Sequence, residues 1–139
     1  MLNMYQKGRV TKLPDAILFD IDNTLYPYDP AHAEAQLAVR KKAANTLSIE
    51  PNAFDKAYTE ARHQIKTRLK HTASSHSRLL YFQRMLEIIG LGSQVLLALD
   101  FEQTYWRTFL SNAILFNGVK ELLDAVSYTH LTLPTKRIV

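Results

Sequence analysis

The stretch ILFDIDNTL, residues 17–25, places two carboxylates, Asp20 and Asp22, at the end of an apolar run. Residues 16–21 have the length of a strand, and their apolar character continues without alternation, which is the pattern of a strand buried on both faces. Asp20 and Asp22 fall where that strand should end, and open α/β sheets gather reactive groups outside the carboxyl ends of their strands. Polar Asn23 and Thr24 follow, and the set suits a site for a cation and a phosphate. One carboxylate can attack phosphorus as a nucleophile. The other can protonate the leaving oxygen and later activate water. A magnesium ion between them would offset the repulsion among two carboxylates and a phosphate.

Two plainer readings compete. A solvated Asp-x-Asp turn needs no chemistry, but average residue usage gives the full pattern odds on the order of one in ten thousand in a chain this long. A calcium loop of the EF-hand type also opens Asp-x-Asp-x-Thr. It requires glycine at its sixth position and glutamate at its twelfth, where this chain has Leu25 and Ala31. That reading fails.

Upstream, residues 1–14 form a polar leader ending at Pro14. Downstream, Asp29 and Pro30 predict a helix start, with an acceptor at the cap and proline in the first turn. That helix should run to about Leu47, and Pro51 should open a second, in which Phe54, Tyr58, Ala61, Ile65 and Leu69 recur at helical spacing. Ser74 or Ser75 is expected to begin a third, closed by Gly90-Leu91-Gly92. A fourth is expected over 93–110 with Phe101, Tyr105 and Phe109 on one side, and a short fifth over 118–124. One strand followed by so many helical residues is incomplete as a fold, because a lone strand cannot form a sheet. The motif therefore implies that the helices are an insertion in an α/β domain.

Composition narrows the class. Hydrophobic residues are 47% and charged residues 22% of the 139, the balance of a globular protein. No apolar run reaches the roughly 18 residues of a membrane span, no secretory signal is visible at the start, and cysteine is absent. A cytoplasmic protein without membrane attachment is expected. The net charge is +4, but removing Lys136 and Arg137 from the 17 basic residues leaves 15 against 13 acidic. That excess is too small to point to nucleic acid.

Residues 17–25 resemble the nucleophile loop of the haloacid dehalogenase (HAD) superfamily, in its phosphatase branch with a helical cap after the first motif, similar to pyrimidine 5'-nucleotidases. The resemblance implies a Rossmann-like α/β core, of which this chain would hold only the first strand, interrupted by an α-helical cap. By the same resemblance Asp20 is the nucleophile that becomes an aspartyl-phosphate, and Asp22 is the general acid and base. Asp20 and the Asp22 backbone carbonyl would be ligands of Mg2+, Thr24 would order the loop, and Asn23 stands where many members have glycine. Retention of the second aspartate implies a phosphatase or phosphomutase and not a dehalogenase. The implied organisation is core strand and loop over 15–28, cap over 29–112, and return to the core over 113–124, where FNGVKELLD (116–124) resembles the returning segment.

The cap region offers weaker candidates. His76, Arg78 and Tyr81 could reach from a helix start toward a sugar or nucleotide phosphate; the plainer expectation is a turn capped by Ser75 with Arg78 solvated. Arg62, Lys66 and Lys70 recur every four residues, a stripe that can meet phosphates but whose spacing is that of a solvated face. Trp106 and its aromatic neighbours are expected in the core of the helices.

The segment VSYTHLTLPT (126–135) is neither helical nor cleanly alternating, and it resembles the in-frame translation of a transposon-type sequencing adapter. The codons required before it and at Lys136, and the resumption of fixed sequence at Val139 followed by a stop, agree with that origin. On this reading 126–139 is a non-native tail and His130 has no role. The serine or threonine, the lysine and the acidic pair that the family places later would then be missing, and the 139-residue chain by itself is expected to be inactive. The expected function is a magnesium-dependent phosphomonoester hydrolase acting on a small phosphorylated metabolite, nucleotides included. The alternatives are a phosphomutase with the same two aspartates and a non-catalytic helical interaction module.

Overall fold

The computed structural model describes residues 17–129, and it is helical beyond the motif loop. The helices are α1 (Tyr28–Leu47), α2 (Pro51–Leu69), α3 (Arg78–Ile88), α4 (Val95–Asn112) and α5 (Val119–Thr129), with a 3-10 turn at Ala73–His76. Among the described residues none of these helices is long and apolar enough to cross a membrane.

Packing follows side-chain size. α1 buries Ala31, Ala35, Val39 and Ala43, one narrow stripe at i, i+4. Its main neighbour, α4, presents Ala98, Phe101, Tyr105 and Phe109. Small side chains on one helix leave room for aromatic ones on the other. α3 packs on both α2 and α4. Its Phe82 lies between the Tyr58 ring at 5.3 Å and the Phe101 ring at 6.0 Å, so the aromatic core runs from α2 through α3 to α4. α5 makes no comparable packing with any of the four.

The helix boundaries carry most of the differences from expectation. α1 begins at Tyr28 after Pro27, and Asp29 is not its cap. The orphan Tyr28 N–H is instead satisfied by Asn23 Oδ1 at 2.9 Å, from outside the helix. α3 begins at Arg78, later than expected, because Ser74 and Ser75 belong to the 3-10 turn. Ser75 is buried there, and the cap is Ser77, whose hydroxyl accepts from Leu80 N–H. The end of α3 is as expected. Gly90 adopts φ 87°, Leu91 N–H reaches Leu86 C=O at 3.0 Å and Gly90 N–H reaches Glu87 C=O at 3.1 Å. That is the paired-bond stop a left-handed glycine permits.

Residues 17–21, expected as a strand, have no regular structure and no ladder partner among the described residues. The described residues are thus helical outside the loop, with no strand among them. α5 continues past Asp124 to Thr129, through the first residues of the segment expected to be foreign. The leader 1–14 and the tail from 130 lie outside the described residues.

Candidate active site

The loop that carries the two aspartates is closed by its own backbone. Ile21 C=O accepts from Thr24 N–H at 3.2 Å and from Leu25 N–H at 2.9 Å. Asn23 sits at φ 59°, a left-handed conformation that asparagine tolerates better than most residues. The same residue supplies the cap of α1, so one side chain fixes both the bend of the loop and its attachment to the helical unit. Thr24 contributes its backbone N–H to the turn, while its side chain forms no hydrogen bond among the described residues. Leu25 C=O accepts from Phe116 N–H at 2.9 Å, which brings the segment leaving α4 back to the loop.

Asp20 and Asp22 are both exposed. Asp22 is held in place by Tyr26, whose hydroxyl donates to Asp22 Oδ1 at 2.5 Å. That bond pushes the Tyr26 phenol up to about 12, with burial and the Asp22 charge adding to the shift, because ionised tyrosine could not donate it. Tyr26 in turn packs its ring edge on Phe109 of α4 at 5.9 Å. Sequence reading passed over Tyr26, although its position four residues after Asp22 was the available signal.

Asp22 also lines a cavity of about 520 Å³ together with Tyr28, Arg62, Lys66, His76, Arg78 and Trp106. Six elements meet there: the loop, α1, α2, the 3-10 turn, α3 and α4. Asp20 is not part of this wall. Arg62 and Lys66 lie one turn apart on α2, so they share a face. Lys70, the third member of their stripe, is outside the cavity. Tyr81 is buried beneath, donating its hydroxyl to Ser75 C=O.

Arg78 is half-buried and held on several sides. Its Nη2 donates to the Tyr28 hydroxyl at 2.8 Å and its Nη1 to His76 C=O at 3.3 Å. The guanidinium carbon lies 5.4 Å from the Tyr81 ring centroid and 5.2 Å from that of Tyr105, within cation–π range. Its Nε is buried with no hydrogen-bond partner. Beside it, His32 stacks on Tyr28 at 5.1 Å and holds the Tyr105 hydroxyl at 2.6 Å through Nδ1. Burial lowers the His32 pKa, and the charges of Arg78 and Arg62 lower it further.

Trp106 was expected in the core and is instead 41% exposed on the cavity rim. Phe101, Tyr105 and Phe109 form the buried stripe of α4, and Trp106 stands one residue, about 100°, off that stripe. Among the described residues no group of three or more His, Asp or Glu gathers as a ready-made metal cluster. The site thus joins a carboxylate loop to a basic, partly aromatic wall contributed by residues 6 to 84 positions further along the chain.

No protein-family model matches the chain, and no solved structure matches it. The chain is similar to a ribulose-1,5-bisphosphate 5-phosphatase of Halopiger xanaduensis, with 34% identity over 110 residues. The match covers 78% of this chain and 46% of that relative, so it spans about half the relative's length.

Proposed function

We propose that this chain carries the nucleophile loop and substrate-enclosing helices of a magnesium-dependent phosphomonoester hydrolase of the HAD superfamily, acting on a phosphorylated sugar. The observation that carries the reading is the shared cavity, whose lining includes Asp22 together with Arg62, Lys66 and Arg78. A carboxylate and three cations around one cavity are an arrangement for an anionic substrate. The relative's name, with its sugar bisphosphate, supports a sugar phosphate over the nucleotide also expected from the sequence.

In this mechanism Asp20 attacks phosphorus, forming an acyl-phosphate bond as the bond from phosphorus to the sugar oxygen breaks. Asp22 gives its proton to the departing oxygen. Water then attacks the aspartyl-phosphate, Asp22 takes the proton from that water, and inorganic phosphate leaves with Asp20 restored. Tyr26 positions Asp22 through its hydrogen bond, and Asn23 keeps the loop docked on α1. Two exposed carboxylates on one loop are the kind of hard-oxygen donors magnesium accepts, since that ion is commonly held by one or two carboxylates plus substrate phosphate and water. Asp20 and the Asp22 backbone carbonyl would hold it, and it would supply charge neutralisation for the phosphoryl group.

The test is phosphate release from ribulose 1,5-bisphosphate by the gene product that carries this chain, with magnesium present. Asp20→Asn is expected to abolish turnover, and Asp22→Asn to lower it by about 10²–10⁴-fold. The Asp22 loss should be smaller on p-nitrophenyl phosphate, whose leaving group needs little protonation. Full turnover in Asp20→Asn overturns the reading.

A further inference from the structure

The basic wall of the cavity is more than the reaction at Asp20 and Asp22 requires, and its charges are left unneutralised. Arg40, Lys42, Arg84 and Lys120 each form an ion pair with a carboxylate at 2.5 to 2.8 Å. Arg62, Lys66 and Arg78 form none among the described residues. Arg62 and Lys66 repel one another across a single helical turn, a like-charge pair that costs stability unless an anion lies between them. Arg78 is fixed by two hydrogen bonds and two aromatic faces, so binding a ligand would cost it little ordering.

We propose that Arg62, Lys66 and Arg78 form a subsite for a second phosphate, the one that is not cleaved, so that the site selects sugar bisphosphates over monophosphates. The inference rests on the phosphatase reading for the other end of the substrate. Geometry divides the cavity. The Asp22 carboxylate repels a spectator anion, so that anion belongs at the cationic wall, while the reacting phosphate belongs at the loop. The volume of about 520 Å³ lies within the range of roughly 300–1,000 Å³ usual for small-molecule sites. Guanidinium and ammonium groups are the side chains that bind phosphate most strongly, arginine by paired hydrogen bonds. A sugar monophosphate held at Asp20 would leave this wall facing neutral hydroxyls.

Trp106, the single tryptophan of the sequence, stands on the cavity wall and serves as a reporter. Inorganic phosphate titrated into the full chain is expected to change Trp106 fluorescence with a saturable midpoint. In the double variant Arg62→Gln, Lys66→Gln that midpoint should weaken by at least about tenfold, with far-UV circular dichroism unchanged. Arg62 is exposed and Lys66 half-buried, so these changes spare the core, whereas Arg78 is built into it and is left intact. Asp20→Asn should leave the midpoint in place. In turnover by the gene product that carries this chain, the double variant should raise KM for the sugar bisphosphate by a larger factor than KM for a sugar monophosphate. An unchanged phosphate midpoint in the double variant, or equal KM losses on the mono- and bisphosphate, overturns the subsite. Loss of the phosphatase reading alone looks different: turnover would survive Asp20→Asn while phosphate binding still depended on Arg62 and Lys66.

Discussion

Every buried apolar residue of the described chain lies between Ala31 and Phe109. Ile17, Leu18, Phe19 and Ile21 before that span, and Ile114, Leu115, Phe116, Leu122 and Leu123 after it, are each 40% or more exposed. The two regions are comparably apolar in sequence and opposite in burial. α1 to α4 follow one another in the chain and turn their stripes toward each other, so each finds a partner nearby. The flanking segments meet each other through Phe116 N–H and Leu25 C=O, a backbone contact that buries little. The unit that holds the fold together is thus distinct from the loop that carries Asp20 and Asp22, and the two are coupled through Asn23, Tyr26 and the cavity wall.

The largest expected effect tests the division itself. Phe101 is fully buried against Phe82, and Phe101→Ala should cost about 3–5 kcal/mol of stability. Leu18 is 97% exposed, and Leu18→Ser should stay within about 0.5 kcal/mol. Urea denaturation of both variants makes the comparison. A loss in Leu18→Ser approaching that of Phe101→Ala would mean that residues 17–21 belong to the cooperative core.

A smaller effect probes the coupling. Tyr26→Phe keeps the ring on Phe109 and removes only the hydroxyl that holds Asp22. The bond is solvent-exposed, so the global cost should be about 1 kcal/mol or less. Hydrogen exchange should read the change locally, faster at the Leu25 and Phe116 amides and unaltered in the middle of α4. Exchange accelerated throughout α4 would show that loop and helices unfold as one body.

The same division explains what the sequence disclosed. Periodicity and local stop signals depend on near neighbours, so the α2 start at Pro51, the buried stripe of α4 and the glycine stop of α3 were all legible. α5 shows the limit of that logic. Val119, Leu122, Leu123 and Val126 repeat at i, i+3, i+4 and i+7, and Lys120 pairs with Asp124 at 2.7 Å, so local rules carry the helix across the expected boundary of native sequence. The strand over 16–21 was inferred from apolar continuity, which shows what a segment can bury and does not supply the ladder partner. At the site, Asp20 and Asp22 stood out because their pattern is local. Arg62 and Lys66 appeared in one candidate group and His76 and Arg78 in another, but helical spacing gives the face a residue occupies and not what faces it. The α3 and α4 crossings, which bring Arg78 onto Tyr105 and Trp106 to the rim, are tertiary facts.

The smallest expected effect joins the two regions through His32. Its ring lies between Tyr28 and Tyr105, and its pKa is lowered from 6.5 by burial first and by Arg78 and Arg62 next. The unfolded chain therefore binds a proton to this group at a higher pH than the folded one. Folding stability rises with pH wherever the unfolded state holds more protons. His32 thus contributes its full stability above pH 6.5 and loses it as pH falls from there to the lowered native value, below which the loss is complete. Urea midpoints measured from pH 8 to pH 5 should show this step in the native chain and lack it in His32→Gln. His32 is only partly buried, so solvent screening keeps the step small. Inorganic phosphate sharpens the test. An anion held by Arg62 and Arg78 cancels part of the charge that depresses His32, so saturating phosphate should raise the native pKa toward 6.5 and shrink the step. A step that persists in His32→Gln belongs to another group, and one indifferent to phosphate places the bound anion away from these two arginines.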